Sequence, residues 1–475
     1  MPKRKNRHWT VFLAYLLTWT AIPHVLFSRK RPVSTLAWVW SIIALPFVGP
    51  AAYFMFGADR MKRKRLRKAA RMGVLRRPET QTAAPETQTF SETKVDMLRV
   101  LSEVNKTPIS SALSARLLVD AAEFYPALEQ QIREAKRHIH IEFFIWRPDE
   151  VGDRFLSLLV AAARRGVEVR LLLDQIGCFG LSTSYFAPLV EAGGKFSWFY
   201  SLPLWRHSRF MNLRNHRKLQ VIDSRCAFVG GMNIGREHVY GCPGVGSWRD
   251  AQIQVDGPVV EQLQALFAED WFFATDERLS SPAYAPHYAG PRGPHVAQVI
   301  SGGPDLPREP IPKSMLALLS GARRRVWLAT GYFVPNELLL TGLQLCAARG
   351  VDVRLLVSEK SDHPYLVEVG RSFYEDLLSW NVRVFEYHGG LNHKKAMLLD
   401  DEWLVIGSAN SDNRSMRLNF ELNLLVHAPE QAARLAGVFA HEFEESEEMK
   451  LETFRKRPFR RRLLEAALRP LAPML

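Results

Sequence analysis

The chain has 475 residues, 47% hydrophobic and 24% charged, a balance that excludes a disordered or fibrous protein and leaves room for two or three domains with full cores. Four cysteines (Cys178, Cys226, Cys242 and Cys346) include no pair at CxxC spacing, which speaks against a zinc ribbon or disulfide scaffold and for a reducing compartment. The net charge of +14 would suit a nucleic-acid binder, but residues 1–68 hold 14 Lys and Arg against one acid, Asp59, so residues 69–475 are within one charge of neutral and the excess belongs to the N-terminus.

Two apolar runs lie in that basic region, residues 9–27 and 33–56, each free of charge. At roughly 20 residues each is long enough to cross ~30 Å of hydrocarbon as a helix. A signal peptide is the competing reading of the first run, but no small-residue cleavage site follows it and "SRKR" does. Basic residues flank both outer ends, with seven in "RMKRKRLRK". The positive-inside rule therefore predicts a hairpin, residues 1–68, with both ends and the rest of the chain on the cytoplasmic side of a membrane. Residues 69–95 carry a direct repeat of "PETQT" without hydrophobic periodicity, and read as a linker.

Beyond the linker the chain is written twice. "AARRGVEVRLLLD", residues 162–174, is echoed by "AARGVDVRLLVSE", residues 347–359. Each is a helical pattern, a glycine, then an apolar run rich in β-branched residues, the signature of a helix feeding a buried strand. Upstream, "RHIHIEFFIW" and "RRVWLATGYFV" read as strands. The fold class predicted is α/β: two similar halves related by a pseudo-twofold, residues 96–288 and 289–475, preceded by a pair of transmembrane helices. The C-terminal "FRKRPFRRRLLEAALRPLAPML" mixes Arg with Phe and Leu, as a solvated helix or a membrane-surface segment would.

Each half carries H-x-K-x4-D, then six residues, then G-[GS]-x-N: His216, Lys218, Asp223, Gly230, Gly231 and Asn233 in the first, and His393, Lys395, Asp400, Gly407, Ser408 and Asn410 in the second. "HRKLQVID" and "HKKAMLLD" read as strands, whose alternate residues face one way, so His and Lys at i and i+2 reach one point together. A neighbouring strand, "AFVGG" or "WLVIGS", would return the Asn beside them. Two His, two Lys and two Asn converging across the pseudo-twofold suit a phosphate diester. A neutral imidazole can attack phosphorus without a separate base, the other histidine, protonated, can donate to the leaving oxygen, and the lysines stabilise charge on the phosphoryl oxygens.

These motifs resemble the phospholipase D superfamily. With "WRD", "SGGPD", "GYFVPNE", "SANSDNRSMRLNFELN" and the N-terminal "STLAWVWSIIALPFVGPAAYFMFG", the resemblance is to bacterial cardiolipin synthases and covers nearly the whole chain. It implies a phosphatidyltransferase of the inner membrane, multi-pass with its catalytic part cytoplasmic. A phosphatidyl group would pass from one phosphatidylglycerol to a histidine, releasing glycerol, and then to a second phosphatidylglycerol. A hydrolytic phospholipase D, or another phosphatidyltransferase of the superfamily, would use the same groups. The resemblance implies phospholipids and a membrane as partners, no nucleic acid, no cofactor and no metal, and leaves a homo-oligomer open. It makes His216, Lys218, Asp223, His393, Lys395 and Asp400 the catalytic set, with His216 as nucleophile and His393 as general acid, an assignment that the near-symmetry of the two motifs makes reversible. Within that set Asp223 and Asp400 read as structural, bonding turn backbone. Asn233, Asn410 and Ser408 are the expected phosphate contacts, made unequal between the halves by Gly231 opposite Ser408. The superfamily places a histidine-orienting carboxylate near Glu421, 28 residues after His393; Asp250, 34 residues after His216, is its nearest counterpart. "GYFVPNE" departs from the commoner T-P-Y-F-V-P-D-E at Gly331 and Asn336, which touches the contacts to the second lipid. Glu142 is a strand-end acid that would line the site or be an ordinary half-exposed charge.

Overall fold

The structure is a computed structural model that describes residues 16, 19–27, 32–45, 47–54, 90–199, 214–279, 284, 293–306 and 308–474. It divides into two units, Met1–Arg76 with Leu202–Asn212, and Arg77–Ser201 with Leu213–Leu475.

In the first unit, residues 19–27 are helical and are followed by helices Pro32–Ala44 and Val48–Ala52. Ala21, Val25, Ile42 and Tyr53 form a small buried cluster, fixed by a 2.7 Å hydrogen bond between His24 Nδ1 and the Tyr53 hydroxyl. Trp19, Phe27 and Trp40 face outward. Among the described residues no helix is long and apolar enough to cross a membrane. The second apolar run, expected as one span, is instead two helices of 13 and 5 residues; the longer covers about 20 Å at ~1.5 Å per residue. The basic flanks of the hairpin and the linker up to residue 89 lie outside the described residues.

The second unit repeats one sheet. Its first copy runs, edge to edge, Ser114–Val119, Ala251–Asp256, Cys226–Gly230, Leu219–Ile222, His138–Phe143, Glu168–Asp174 and Lys195–Phe199. The second runs His295–Gly302, Asn419–His427, Trp403–Gly407, Ala396–Leu399, Arg325–Ala329, Asp352–Ser358 and Arg383–Tyr387, with Ser110–Ala112 added at one edge and Ser446–Met449 at the other. In both, the last three shared strands are parallel and the rest antiparallel. The parallel steps need crossover helices: Glu150–Arg164 and Glu337–Ala348 supply the first in each half. Asp149 caps one through Val151 and Gly152 N–H. Asn336 caps the other through Leu339 N–H at 2.8 Å, so this departure from the commoner acid keeps an N-cap function. Apart from Glu168 at the start of one, the residues of the central strands His138–Phe143, Glu168–Asp174, Ala396–Leu399 and Trp403–Gly407 are buried, which is why they read as continuous apolar runs rather than alternating ones.

Two elements that precede the first sheet in sequence pack with the second sheet and its core. Helix Glu92–Asn105 starts inside the expected linker, and its Met97, Leu98 and Leu101 are core residues of the second half, beside Val296, Met315 and Val326. Strand Ser110–Ala112 likewise joins the second sheet. Lys94 pins this helix through a buried 2.7 Å ion pair to Asp400.

Candidate active site

The two motifs are not continuous strands. Arg214–Asn215 is one short strand and Leu219–Ile222 another, and residues 216–218 fall in the break; Gly390–Asn392, Ala396–Leu399 and residues 393–395 repeat the pattern. At each break the chain changes partner. Before it, the strand pairs with the other half: Arg214–Asn215 runs parallel to Asn419–Phe420, and Gly390–Asn392 runs parallel to Ser247–Arg249. After it, the chain joins its own sheet. The foreign ladder continues onto the histidines themselves, since His216 N–H donates to Phe420 O at 2.9 Å and His393 N–H to Arg249 O at 2.7 Å.

Parallel pairing sets the residue after each ladder beside its counterpart, and those residues are the carboxylates. His216 Nδ1 lies 3.0 Å from Glu421 Oε2, and His393 Nδ1 lies 2.7 Å from Asp250 Oδ2. Each histidine is thus oriented by the carboxylate of the opposite half. A pairing inside each half, the simplest reading of the 28- and 34-residue spacings, is corrected by this crossing. With Nδ1 engaged on both rings, Nε2 is the nitrogen that points away from the carboxylate.

All of these groups are buried: His216 is 8% exposed, His393 5%, Lys395 5%, and Lys218 and Glu421 0%. Burial pushes His216 down to about 4 against the upward pull of Glu421. It pushes His393 well down too, helped by Lys395, Lys218 and His216, so one site feels charges from both motifs. Lys218 is pushed to about 7 and Lys395 to about 8, again by burial first. Each lysine donates to the backbone carbonyl of its own motif's histidine, Lys218 at 2.8 Å. Burial works to raise Glu421, but His216 and Lys218 overcome it and hold the carboxylate below its usual range.

Asp223 and Asp400, grouped above with the catalytic set, bind backbone. Asp223 accepts from the N–H groups of Lys136, Arg137 and His138. Asp400 accepts from those of Arg323, Arg324 and Arg325 and from Lys94 Nζ. Both sit at positive φ, 56° and 53°, in the turn that follows the motif strand, and tie it to the start of strands His138–Phe143 and Arg325–Ala329. Their work is on the scaffold.

Ser408 is also corrected. Its hydroxyl donates to Glu421 Oε2 at 2.5 Å and accepts from Leu422 N–H at 2.9 Å, so it positions the carboxylate and has no proton left for phosphate. The Gly231/Ser408 inequality follows from carboxylate length. A Cβ at Gly231 would lie 2.3 Å from Asp250 Oδ1: the shorter Asp needs the space that the longer Glu leaves to a serine. Asn233 Oδ1 accepts from Ile145 N–H at 3.0 Å, which turns its amide NH2 away from that bond. Asn410 is 4% exposed, with a buried, unpartnered Oδ1. A Cβ built on Gly331 would meet that atom at 3.4 Å and His393 Cδ2 at 3.3 Å, so this glycine leaves room beside the second histidine.

Other residues at the site lie outside both motifs. His238 stacks edge-on 6.1 Å from His393 and accepts from Asn233 N–H at 3.2 Å; Trp248 lies 5.2 Å from His393 and Phe144 4.7 Å from His216. The middle residue of each H-x-K is buried and faces an acid on the helix behind: Arg217 bonds Asp270, and Lys394 bonds Glu442. The Asn before each histidine bonds an acid as well, Asn215 to Glu142 at 3.1 Å and Asn392 to Glu442 at 3.2 Å. Glu142 is therefore neither a lining group nor half-exposed. It is fully buried, and burial, then Asp270, holds its acid well above the usual range. A matched basic residue at the same x of both motifs was the available signal for this layer.

Comparison with known proteins follows the same lines. The model described as "Cardiolipin synthase, PLD-like domain" matches residues 128–271 and 315–443, one segment per half, and "Phospholipase_D-nuclease N-terminal" matches residues 16–57. The solved structure of phosphatidylserine synthase from Haemophilus influenzae Rd KW20 shares the fold, with a TM-score of 0.59 at 15% identity over 81% of this chain and 100% of that one. A cardiolipin synthase of Geobacillus sp. (strain WCH70) is 34% identical over 98% of this chain and 92% of its own length, and cardiolipin synthase 2 of Bacillus anthracis is 32% identical over 95% and 88%. The chain belongs to the cardiolipin synthase family of phospholipase D-like enzymes and is a phosphatidyltransferase.

Proposed function

We propose that the chain makes cardiolipin from two molecules of phosphatidylglycerol, without nucleotide or metal. The observation that carries the reading is the crossed pairing: two buried imidazoles, each held at Nδ1 by a carboxylate of the opposite half, with two buried lysines that each feel the charges of both halves. In the first step neutral His216 attacks phosphorus through Nε2. The bond to the glycerol oxygen breaks, and protonated His393 gives that oxygen its proton, so glycerol leaves neutral. In the second step His393 takes the proton from a hydroxyl of the second phosphatidylglycerol, whose oxygen displaces His216 from phosphorus. Burial keeps His216 neutral and its lone pair available. His393 needs a proton, and a bound phosphodiester anion favours one by offsetting the Lys395 and Lys218 charges that depress it. Asn233 and Asn410 are the proposed phosphate donors. The N-terminal hairpin lies in the inner membrane with both outer ends cytoplasmic, on the strength of its basic flanks.

Purified full-length protein in detergent, given phosphatidylglycerol alone with chelator present, yields cardiolipin and glycerol in equal amounts. His216→Ala and His393→Ala each abolish turnover. Phosphatidic acid as the sole lipid product would make the protein a hydrolase instead.

A further inference from the structure

Helix Phe459–Leu468 carries its apolar stripe on the wrong side for a helix that packs only against its own protein. At ~100° per residue, Arg461, Glu465 and Leu468 share one face, and that face holds the helix down. Glu465 is buried at 1% and bound by Arg457 Nη2 at 2.6 Å. Leu468 packs on the core of the second half, and Arg461 Nη2 lies 3.4 Å from Glu368 on helix Pro364–Arg371. The opposite face carries Phe459, Leu463 and Ala466 at i, i+4 and i+7. Phe459 is 73% and Leu463 57% exposed, and Ala466 is exposed beside them. Arg460 and Arg462 flank this stripe, one on each side. With Lys456 in the preceding turn they are exposed and have no acidic partner among the described residues, unlike Arg455, Arg457 and Arg461, which pair with Glu375, Glu465 and Glu368.

We propose that this outer face of Phe459–Leu468 lies in the headgroup layer of an anionic lipid bilayer. An apolar stripe rimmed by cations matches the order of a bilayer surface, with Phe and Leu reaching the acyl boundary and Arg side chains turning back to lipid phosphates. A second copy of the chain is a poorer occupant, because opposed stripes would bring the unpaired arginines of the two copies together. The face has a bearing on the site. Its seat, helix Pro364–Arg371, follows His363, whose ring lies 5.7 Å from that of Tyr332, and Tyr332 lies 6.3 Å from His393. Tyr365, on the same helix, is 49% exposed. Seating the C-terminal helix on lipid therefore brings this rim of the site to the surface that holds the substrate, an inference that rests on the lipid-transfer reading above.

The test uses the full chain with Cys242→Ser and Leu463→Cys, since Cys178, Cys226 and Cys346 are buried. A nitroxide on residue 463 is read by collision with oxygen and with a water-soluble nickel complex, in vesicles of phosphatidylcholine with and without phosphatidylglycerol. With phosphatidylglycerol, oxygen dominates at 463, while a label placed by Glu430→Cys stays aqueous. An aqueous signal at 463, or spin–spin broadening from a second copy, overturns the proposal. Immersion is read without turnover, so its failure is distinct from failure of the transfer reaction. As a second arm, Phe459→Asp with Leu463→Asp lowers the rate on phosphatidylglycerol vesicles about tenfold and leaves the rate on monomeric short-chain phosphatidylglycerol unchanged. Equal loss on both substrates marks a merely structural helix and overturns the assignment.

Discussion

Replacing Glu421 by Gln removes the negative charge behind His216, and with it part of the upward pull on Lys218 and Lys395. The carboxylate is fully buried and holds three partners: His216 Nδ1 at 3.0 Å, Ser408 Oγ at 2.5 Å and Asn419 Nδ2 at 3.1 Å. A hydrogen bond to a charged group is worth about 1.5–3 kcal/mol, so if only that bond is lost, kcat falls about 10- to 150-fold. Gln can also present its NH2 to Nδ1, which fixes the wrong tautomer and takes the loss towards about 10^4-fold. The change acts on the chemical step, so kcat and kcat/KM fall together. Without the charge that raises it, His216 titrates below its present value of about 4. The assay is cardiolipin formation by the purified full-length variant in detergent, with circular dichroism to show that it is folded. A folded variant with more than about a third of wild-type kcat would refute the claim that Glu421 serves His216, because it would put the bond below ~1 kcal/mol.

Gly231→Ser places a Cβ within 2.3 Å of Asp250 Oδ1 and pushes that carboxylate off His393; kcat drops at least about 100-fold, whereas Ser408→Gly removes one bond to Glu421 and costs about 10-fold. Equal losses in the two variants would sink the carboxylate-length account. Asp400→Ala strands the buried Lys94 ammonium and lowers stability by about 3–5 kcal/mol, read as a urea midpoint shift, while Asp223→Ala loses about 1–3 kcal/mol. If Asp400 were catalytic, activity would vanish with no such shift. Lys218 and Lys395 stand near 7 and 8, below the ordinary lysine value. An oxyanion requires both protonated, so tungstate binding tightens as pH falls from about 9 towards 7, with proton uptake measurable by calorimetry in buffers of different ionisation heat. Binding that is flat across that range would place the anion away from the lysines.

The repeat was legible because each half is one sheet built from like strands, and buried parallel strands announce themselves as apolar runs bounded by turns. The H-x-K pairs were legible because they recur at matched places. The crossing was not. It depends on two-residue strands, Arg214–Asn215 and its counterpart Gly390–Asn392, too short for periodicity to show, and on a partner chosen from the other half. The same limit hid the home of helix Glu92–Asn105: its amphipathic pattern says that a face is buried, not which core buries it, and the Lys94–Asp400 pair is visible only in space. The partner of Ser408 is hidden in the sequence because a serine after a tight glycine looks the same whether it serves a phosphate or a carboxylate.

The structure of the protein with tungstate tests the central claim most directly. The account predicts one tungstate bonded to His216 Nε2, with His393 Nε2 on its far side and both lysines on its oxygens. Two tungstates, each beside a single histidine, would contradict it.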